Sequence, residues 1–216
     1  MNYLLAAGGF LLGYVFGSIP CGLWLVQAFH GIDIRKHGSG NIGTTNVFRT
    51  VGPKTAAAVL AGDMLKGILA LYIMSKFAAD PIIVAITALG ALLGHNYSLF
   101  LGFKGGKGVA TGLGLFLYML PWGAAAGFGI WVLIVLITRY VSLGSIIAAI
   151  VAATAGWYLK YPVPYAVFGT LACLFVIIRH KDNIKRLMAG TESKIKPGHL
   201  DNNKRNVTND KLAEKE

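Results

Sequence analysis

Three segments of this chain combine residue types that could do chemistry on a phosphate. The first is Gly38-Ser39-Gly40-Asn41-Ile42-Gly43-Thr44-Thr45-Asn46-Val47-Phe48-Arg49. It sets two amides, several hydroxyls and three glycines ahead of one arginine. Each polar side chain can bond an anion or a backbone turn, and the Arg49 fork suits phosphate oxygens. Taken alone, this loop reads equally well as a well-knit turn with a snorkelling arginine. The second is Gly94-His95-Asn96-Tyr97, then Gly102-Phe103-Lys104-Gly105-Gly106-Lys107-Gly108-Val109-Ala110-Thr111-Gly112. Glycine lets backbone N–H groups point at an anion, lysine supplies charge, and an apolar helix opening beside them adds its N-terminal dipole. A flexible turn with two cytoplasm-marking lysines is the weaker reading. The third runs from Arg179-His180 through Asn183, Arg186 and Leu187 to Glu192. On a continuing helix, His180 and Asn183 share a face. By itself this segment reads more simply as a basic helix lying on anionic lipid.

Some chemistries are absent. A Walker A loop needs Gly five residues before Gly106 and Ser or Thr after Lys107, but Leu101 and Gly108 stand there, which disfavours a nucleotide triphosphatase. A His-x4-Asp acid–base pair is also missing. The residues five after His30, His37, His95, His180 and His199 are Arg35, Ile42, Phe100, Lys185 and Lys204. Cys21 and Cys173 fall in apolar stretches without metal-ligand spacing and read as buried free thiols. No metal or cofactor is expected.

The elements that must position these segments are membrane helices. Of 216 residues, 55% are hydrophobic and 13% charged, against about 25% charged in ordinary soluble domains. Apolar stretches at 3–29, 54–77, 81–101, 108–121, 122–138, 141–160 and 162–179 predict an all-α, seven-span membrane bundle. The first stretch lacks a basic n-region and is longer than a signal core, so it is read as an uncleaved span. The short fourth stretch and the turn at Leu120-Pro121-Trp122 decide between seven spans and six. Charge favours seven. Of the 20 Lys and Arg, only Lys66, Lys76 and Lys160 then lie away from one side. Positive charge marks the cytoplasm, which puts the N-terminus outside and the C-terminus inside. The net charge of +11 follows from this bias and from attraction to anionic headgroups, and nucleic acid is not an expected partner. Asp63 and Lys66, three apart within the second span, read first as an internal ion pair bracing the bundle. Residues 1–195 form the expected membrane domain and 196–216 a flexible polar tail.

Taken together, the three segments resemble the PlsY family, the bacterial acyl-phosphate:glycerol-3-phosphate acyltransferases. The resemblance covers about residues 1–195 and implies a multi-pass enzyme of the bacterial plasma membrane with its active site facing the cytoplasm. The implied reaction moves a fatty acyl group from acyl phosphate to the 1-hydroxyl of glycerol 3-phosphate, the first acylation of phospholipid synthesis. It also implies that Ser39 and Arg49 are essential, that Lys107 and the neighbouring glycines bind phosphate, that His180 and Asn183 contribute to activity, and that Glu192 is structural. A soluble acyl-phosphate synthase is a plausible partner.

The residues fit such chemistry on their own terms. An acyl phosphate is already activated and needs positioning and charge stabilisation more than a strong nucleophile. Ser39 and Asn41 are the expected oxyanion donors, and Arg49 and Lys107 the phosphate holders. Gly40, Thr44, Asn46, Lys104, Gly105, Gly106, Gly108, Thr111, His180 and Asn183 complete the expected substrate site. The base is either His180 or an oxygen of the substrate phosphate, with the phosphate preferred. An acyl-serine at Ser39 needs an adjacent base that the sequence does not place. An organophosphate transporter could use the same cradles, but it would hold substrate near the bilayer midplane, whereas these cations gather at one face.

Overall fold

The structure is a computed structural model that describes residues 2–195. The polar tail expected at 196–216 lies outside the described residues. Among the described residues there are helices and no strands.

The first apolar stretch is not one straight helix. It divides into α1 (Tyr3–Ser18) and α2 (Cys21–His30) at Ile19-Pro20, because proline lacks the N–H that would continue the ladder. The carbonyl of Ile19 freed at this break accepts from Lys66 Nζ at 2.7 Å. Helix α1 packs along α5 (Pro81–Asn96), the most extensive helix pair in the molecule. Glycine makes that approach possible. A Cβ at Gly13 or Gly17 would stand 2.1 Å from the carbonyl oxygen of Thr87 or Ala91. In return, a Cβ at Gly94 would stand 2.2 Å from Tyr14 O. Backbones meeting this closely need small residues at every crossing point.

Helix α3 (Thr44–Val51) is short and α4 (Pro53–Phe77) long, with proline at the first position of α4, where its missing N–H costs nothing. Leu23 and Val26 of α2, Ile34 and Ile42 of the loop, Val47 of α3 and Val59 of α4 form one buried cluster. These apolar pegs fasten the polar loop at 31–43 to two helices. A Cβ at Gly22 would stand 1.8 Å from Ile42 O, so α2 accepts the loop backbone directly on its surface.

The remaining elements are α6 (Val109–Met119), α7 (Pro121–Thr138), α8 (Val141–Tyr158), α9 (Val163–Arg179) and α10 (Lys181–Met188). Among the described residues, five stretches, at 3–30, 53–77, 81–101, 121–138 and 141–158, are long and apolar enough to cross a bilayer. The number becomes six if α9 and α10, which meet at a 58° bend, are taken as one. The sequence predicts seven, and α6 makes the difference. Its 11 residues rise only about 16 Å, against about 30 Å of hydrocarbon. The break expected at Leu120-Pro121-Trp122 does occur, with Leu120 capping both α6 and α7. Arg49 of α3 and the turns holding Lys107, Arg139 and His180 gather at one end, tied by Arg49 to Ser193 O at 2.9 Å and by Ile195 N–H to Arg139 O at 2.9 Å. At the other end Tyr118 donates to Ser75 and Trp122 N–H to the Tyr161 hydroxyl. Helices α6 to α9 share a core around Leu115, Phe116, Leu120, Ala152 and Phe168.

Candidate active site

Asn46 organises the first loop. It is buried, and its Nδ2 donates to the carbonyls of His37 at 3.0 Å and Asn41 at 2.8 Å. Its Oδ1 accepts from Ser39 N–H at 2.9 Å. Asn41 Oδ1 accepts from Gly43 N–H at 2.8 Å, a turn that feeds directly into α3. Gly38 and Gly40 sit at φ of +58° and +70°, the left-handed conformation glycine adopts without cost. The loop therefore reaches its shape through its own bonds and presents Ser39, Thr44 and Arg49 to a cavity. Thr44 Oγ1 and Arg49 Nε are buried there without a protein partner. A buried hydroxyl and a buried guanidinium N–H without partners, on residues that line a cavity, are donors awaiting an acceptor.

The Lys-Gly loop is built differently from the expected cradle. The N–H groups of Gly105 and Gly106 bond the carbonyls of Asn96 and His95 at 3.1 Å. They are already used and do not point at an anion. The same glycines are tightly enclosed, since a Cβ at Gly105 would stand 2.0 Å from His95 O and one at Gly106 would stand 2.2 Å from His95 Nε2. Arg179 closes the loop from the far side, donating to the Gly105 and Gly106 carbonyls at 3.0–3.1 Å. Its guanidinium lies over the Tyr97 ring. Held by α5 on one side and Arg179 on the other, the loop projects Lys107 into the cavity.

Lys107 donates to Asn183 Oδ1. Asn183 Nδ2 donates in turn to Glu192 Oε1 at 2.7 Å. Glu192 also accepts from Ser142 at 2.8 Å and from Arg186 Nε at 2.7 Å. His180 donates through Nδ1 to Val176 O at 2.7 Å, because a carbonyl can only accept, so its lone pair is on Nε2. These side chains, the first loop and an apolar groove between α6, α7, α8 and α9 share one cavity of about 1280 Å³. Its mouth holds Arg49, Lys107, Arg179 and Arg186, and its deep end Phe116, Ala124, Ala152 and Ala172.

Comparison with known proteins agrees with this geometry. A family model described as glycerol-3-phosphate acyltransferase matches residues 7–190. A glycerol-3-phosphate acyltransferase of Synechococcus sp. (strain JA-3-3Ab) is 46% identical over 195 residues, covering 90% of this chain and 94% of that protein. One from Geobacter sulfurreducens is 47% identical, covering 86% and 95%. The crystal structure of the integral membrane acyltransferase PlsY in its glycerol 3-phosphate form aligns at a TM-score of 0.83 and 39% identity, over 88% of this chain and 96% of that one. Its lysophosphatidic acid form aligns at 0.81. The chain belongs to the glycerol-3-phosphate acyltransferase family, PlsY type. It is an acyltransferase built into a membrane.

Of the residues expected in the substrate site, Ser39, Asn41, Thr44, Asn46, Arg49, Lys107, Gly108, His180 and Asn183 line the acyltransferase cavity. Gly40, Lys104, Gly105, Gly106 and Thr111 do not, and each has a physical reason. Gly40 makes a left-handed turn whose N–H bonds His37 O. Lys104 is exposed, outside the cavity. Gly105 and Gly106 pack on α5. Thr111 is buried and bonds His95 Nδ1 at 3.1 Å. Asn46 lines the cavity, but the loop already occupies its amide.

Asp63 and Lys66 pair at 2.7 Å inside the acyltransferase. Lys66 also reaches His95 Nδ1 at 3.0 Å. The brace therefore joins the α1–α2 break, α4 and α5, and through His95 it underlies the Lys107 loop. Sequence reasoning places His95 beside the Lys-Gly loop but gives it no role, and it misses Ser142, which no local signal marks. Electrostatics at the mouth are cationic. Burial pushes Lys107 below its usual range, with Arg186, Arg179 and Arg49 adding to the effect against Glu192. Burial and the nearby Lys107 charge lower His180 from 6.5 to about 4, so it is neutral. Glu192 stays ionised because bonds from Asn183, Ser142 and Arg186 outweigh the raising effect of burial.

Proposed function

We propose that this protein transfers a fatty acyl group from acyl phosphate to the 1-hydroxyl of glycerol 3-phosphate, releasing lysophosphatidic acid and inorganic phosphate. The observation that carries this reading is the single cavity that joins a cationic mouth to an apolar groove. A substrate with a phosphate at one end and a hydrocarbon tail at the other fits such a cavity in one orientation only. The glycerol hydroxyl attacks the acyl carbonyl carbon, a tetrahedral oxyanion forms, and the carbon–oxygen bond to phosphate breaks. Ser39 and Asn41 are the oxyanion donors. Arg49, with Thr44 beside it, and Lys107 hold the two phosphates. Gly108, left-handed at φ +82°, starts α6 at the cavity wall, where the helix N-terminus favours an anion.

The hydroxyl proton passes to an oxygen of the substrate phosphate. His180 is a poor base for it, with Nδ1 engaged by Val176 O and a pKa near 4. Its Nε2 accepts a hydrogen bond from a substrate hydroxyl and orients it, and Asn183 keeps Lys107 aimed. Glu192, Asp63 and Lys66 act as supports.

In the membrane we place the seven apolar segments as seven crossings, with the N-terminus outside and the catalytic end in the bacterial cytoplasm. The gathering of the basic loops at one end supports this, since α6 must leave that end and α7 return to it. The short α6 then crosses where loops and neighbouring helices complete the depth. The basic face is open to a soluble acyl-phosphate synthase. The deciding assay supplies purified protein in detergent with acyl phosphate and labelled glycerol 3-phosphate. Lysophosphatidic acid is the expected product. Its absence from folded protein, or equal turnover of acyl-CoA, refutes the assignment. A tag at the N-terminus reachable from the cytoplasm refutes the topology.

A further inference from the structure

We propose that the closed end of the apolar groove is a ruler that sets which acyl-chain lengths the enzyme accepts, with Ala152 as its floor and Ala149 as the wall above it. The proposal rests on the acyl-transfer reading above. Ser142, Ser145, Ala149 and Ala152 all line the cavity. Their spacing of three, four and three puts them on one face of α8. That face changes from polar beside Glu192 to methyl groups deeper in. From Ser142 to Ala152 the helix rises about 15 Å, and this is the usable depth beside the tail.

The groove is walled by protein at its deep end, while Phe128, 49% exposed, lines its side nearer the mouth. Phe116, Ala124, Ala152 and Ala172 line its deep end and are between 1% and 6% exposed. Behind them stand Leu120 at 0% and Phe168 at 2%, which line no part of the cavity and belong to the packed core. The Phe168 ring backs that of Phe116, with centroids 5.9 Å apart. Helices α7 and α8 close on each other at the same level. A Cβ at Gly127 would stand 2.9 Å from Ala148 O and 3.1 Å from the Ala152 methyl. A chain that reaches this floor cannot extend further without displacing close-packed side chains. Small residues along the wall leave the depth free, and enlarging one of them shortens the ruler.

The test measures kcat/KM for a graded series of saturated acyl phosphates, short to long, in wild type, Ala152→Leu and Ala149→Leu. Wild type should show a length beyond which kcat/KM falls. In Ala152→Leu that cutoff moves to shorter chains. The ratio of long-donor to short-donor kcat/KM drops about tenfold or more, the usual cost of an extra methylene in a filled pocket. In Ala149→Leu the cutoff moves shorter still, following the roughly 4.5 Å between the two positions. Ala149 is only partly buried, so its variant carries the test if leucine at the buried floor prevents folding. Unmoved cutoffs, or an equal loss at every length in a variant that unfolds like wild type, overturn the ruler. Turnover by wild type with no length dependence does the same. No turnover of any acyl phosphate by folded wild type refutes the acyl-transfer reading itself.

Discussion

Removing the Glu192 carboxylate tests how the site is held together. Glu192 touches no expected reacting atom, yet it joins Ser142 on α8, Asn183 and Arg186 on α10 and, through Asn183, Lys107. Glu192→Ala leaves the Asn183 amide and the Ser142 hydroxyl buried without acceptors, at about 1–3 kcal/mol each. Arg186 adds little, because its side chain is 45% exposed. The total is about 2–4 kcal/mol, since Asn183 can recover part of its loss from cavity water. If that free energy keeps Lys107 in its working position, kcat/KM falls by about 30-fold or more, at roughly 1.4 kcal/mol per tenfold. Glu192→Gln should fall by less than about tenfold. Its amide oxygen still serves Asn183 and Ser142, while its NH2 faces the Arg186 donor. Steady-state acyl transfer with acyl phosphate, paired with thermal unfolding in detergent, reads both effects. Wild-type kinetics and unfolding in Glu192→Ala would refute the claim that this hub positions Lys107. So would an equal loss in Ala and Gln.

Three further outcomes follow from the site. Gly106→Ala places a methyl 2.2 Å from His95 Nε2 and must push the loop off α5. Activity should be lost while Gly8→Ala, whose added methyl meets nothing within 4 Å, leaves it unaffected, and near-normal kcat/KM in Gly106→Ala would show that the loop is not clamped there. Lys107→Ala and Arg49→Ala each remove a charged donor worth about 1.5–3 kcal/mol, so kcat/KM for the two phosphate substrates should drop about 10- to 150-fold, and more modest losses in both would remove the phosphate-holding role. Stability should fall as pH drops from 6.5 towards about 4. The folded state keeps His180 neutral down to that value while the unfolded chain takes up the proton, a slope of at most about 1.4 kcal/mol per pH unit. Glu192, held ionised in the fold, adds to the loss below its ordinary pKa. His180→Gln should flatten the melting temperature over that window, and an unchanged slope would contradict the assignment.

What could be read from the sequence was whatever local chemistry dictates. The apolar stretches mark the helices to within a few residues, because a bilayer demands continuous hydrophobic length whatever the neighbours are. The Leu120-Pro121 break was readable for the same reason, since proline acts through its own backbone. The first loop was half readable. Its polar residues announce a site, but only the fold reveals that Asn46 is consumed in shaping it while Thr44 Oγ1 and Arg49 Nε are left without a partner. The Lys-Gly loop misled in an instructive way. Glycine next to lysine suggests N–H groups turned to an anion, yet Gly105 and Gly106 are glycines because α5 lies against them, a contact made by residues about ten positions away. Glycine is the residue both for presenting a backbone to a ligand and for pressing it against another helix, and composition cannot separate the two uses. His95 shows the same limit. It carries the loop on its carbonyl and bonds Lys66 of α4 and Thr111 of α6 through its ring, three partners from two helices and a loop that no local pattern brings together. The division of labour is therefore physical. Phosphate holding is assigned to the charged side chains that reach the cavity, and the glycines between them fix where those charges stand.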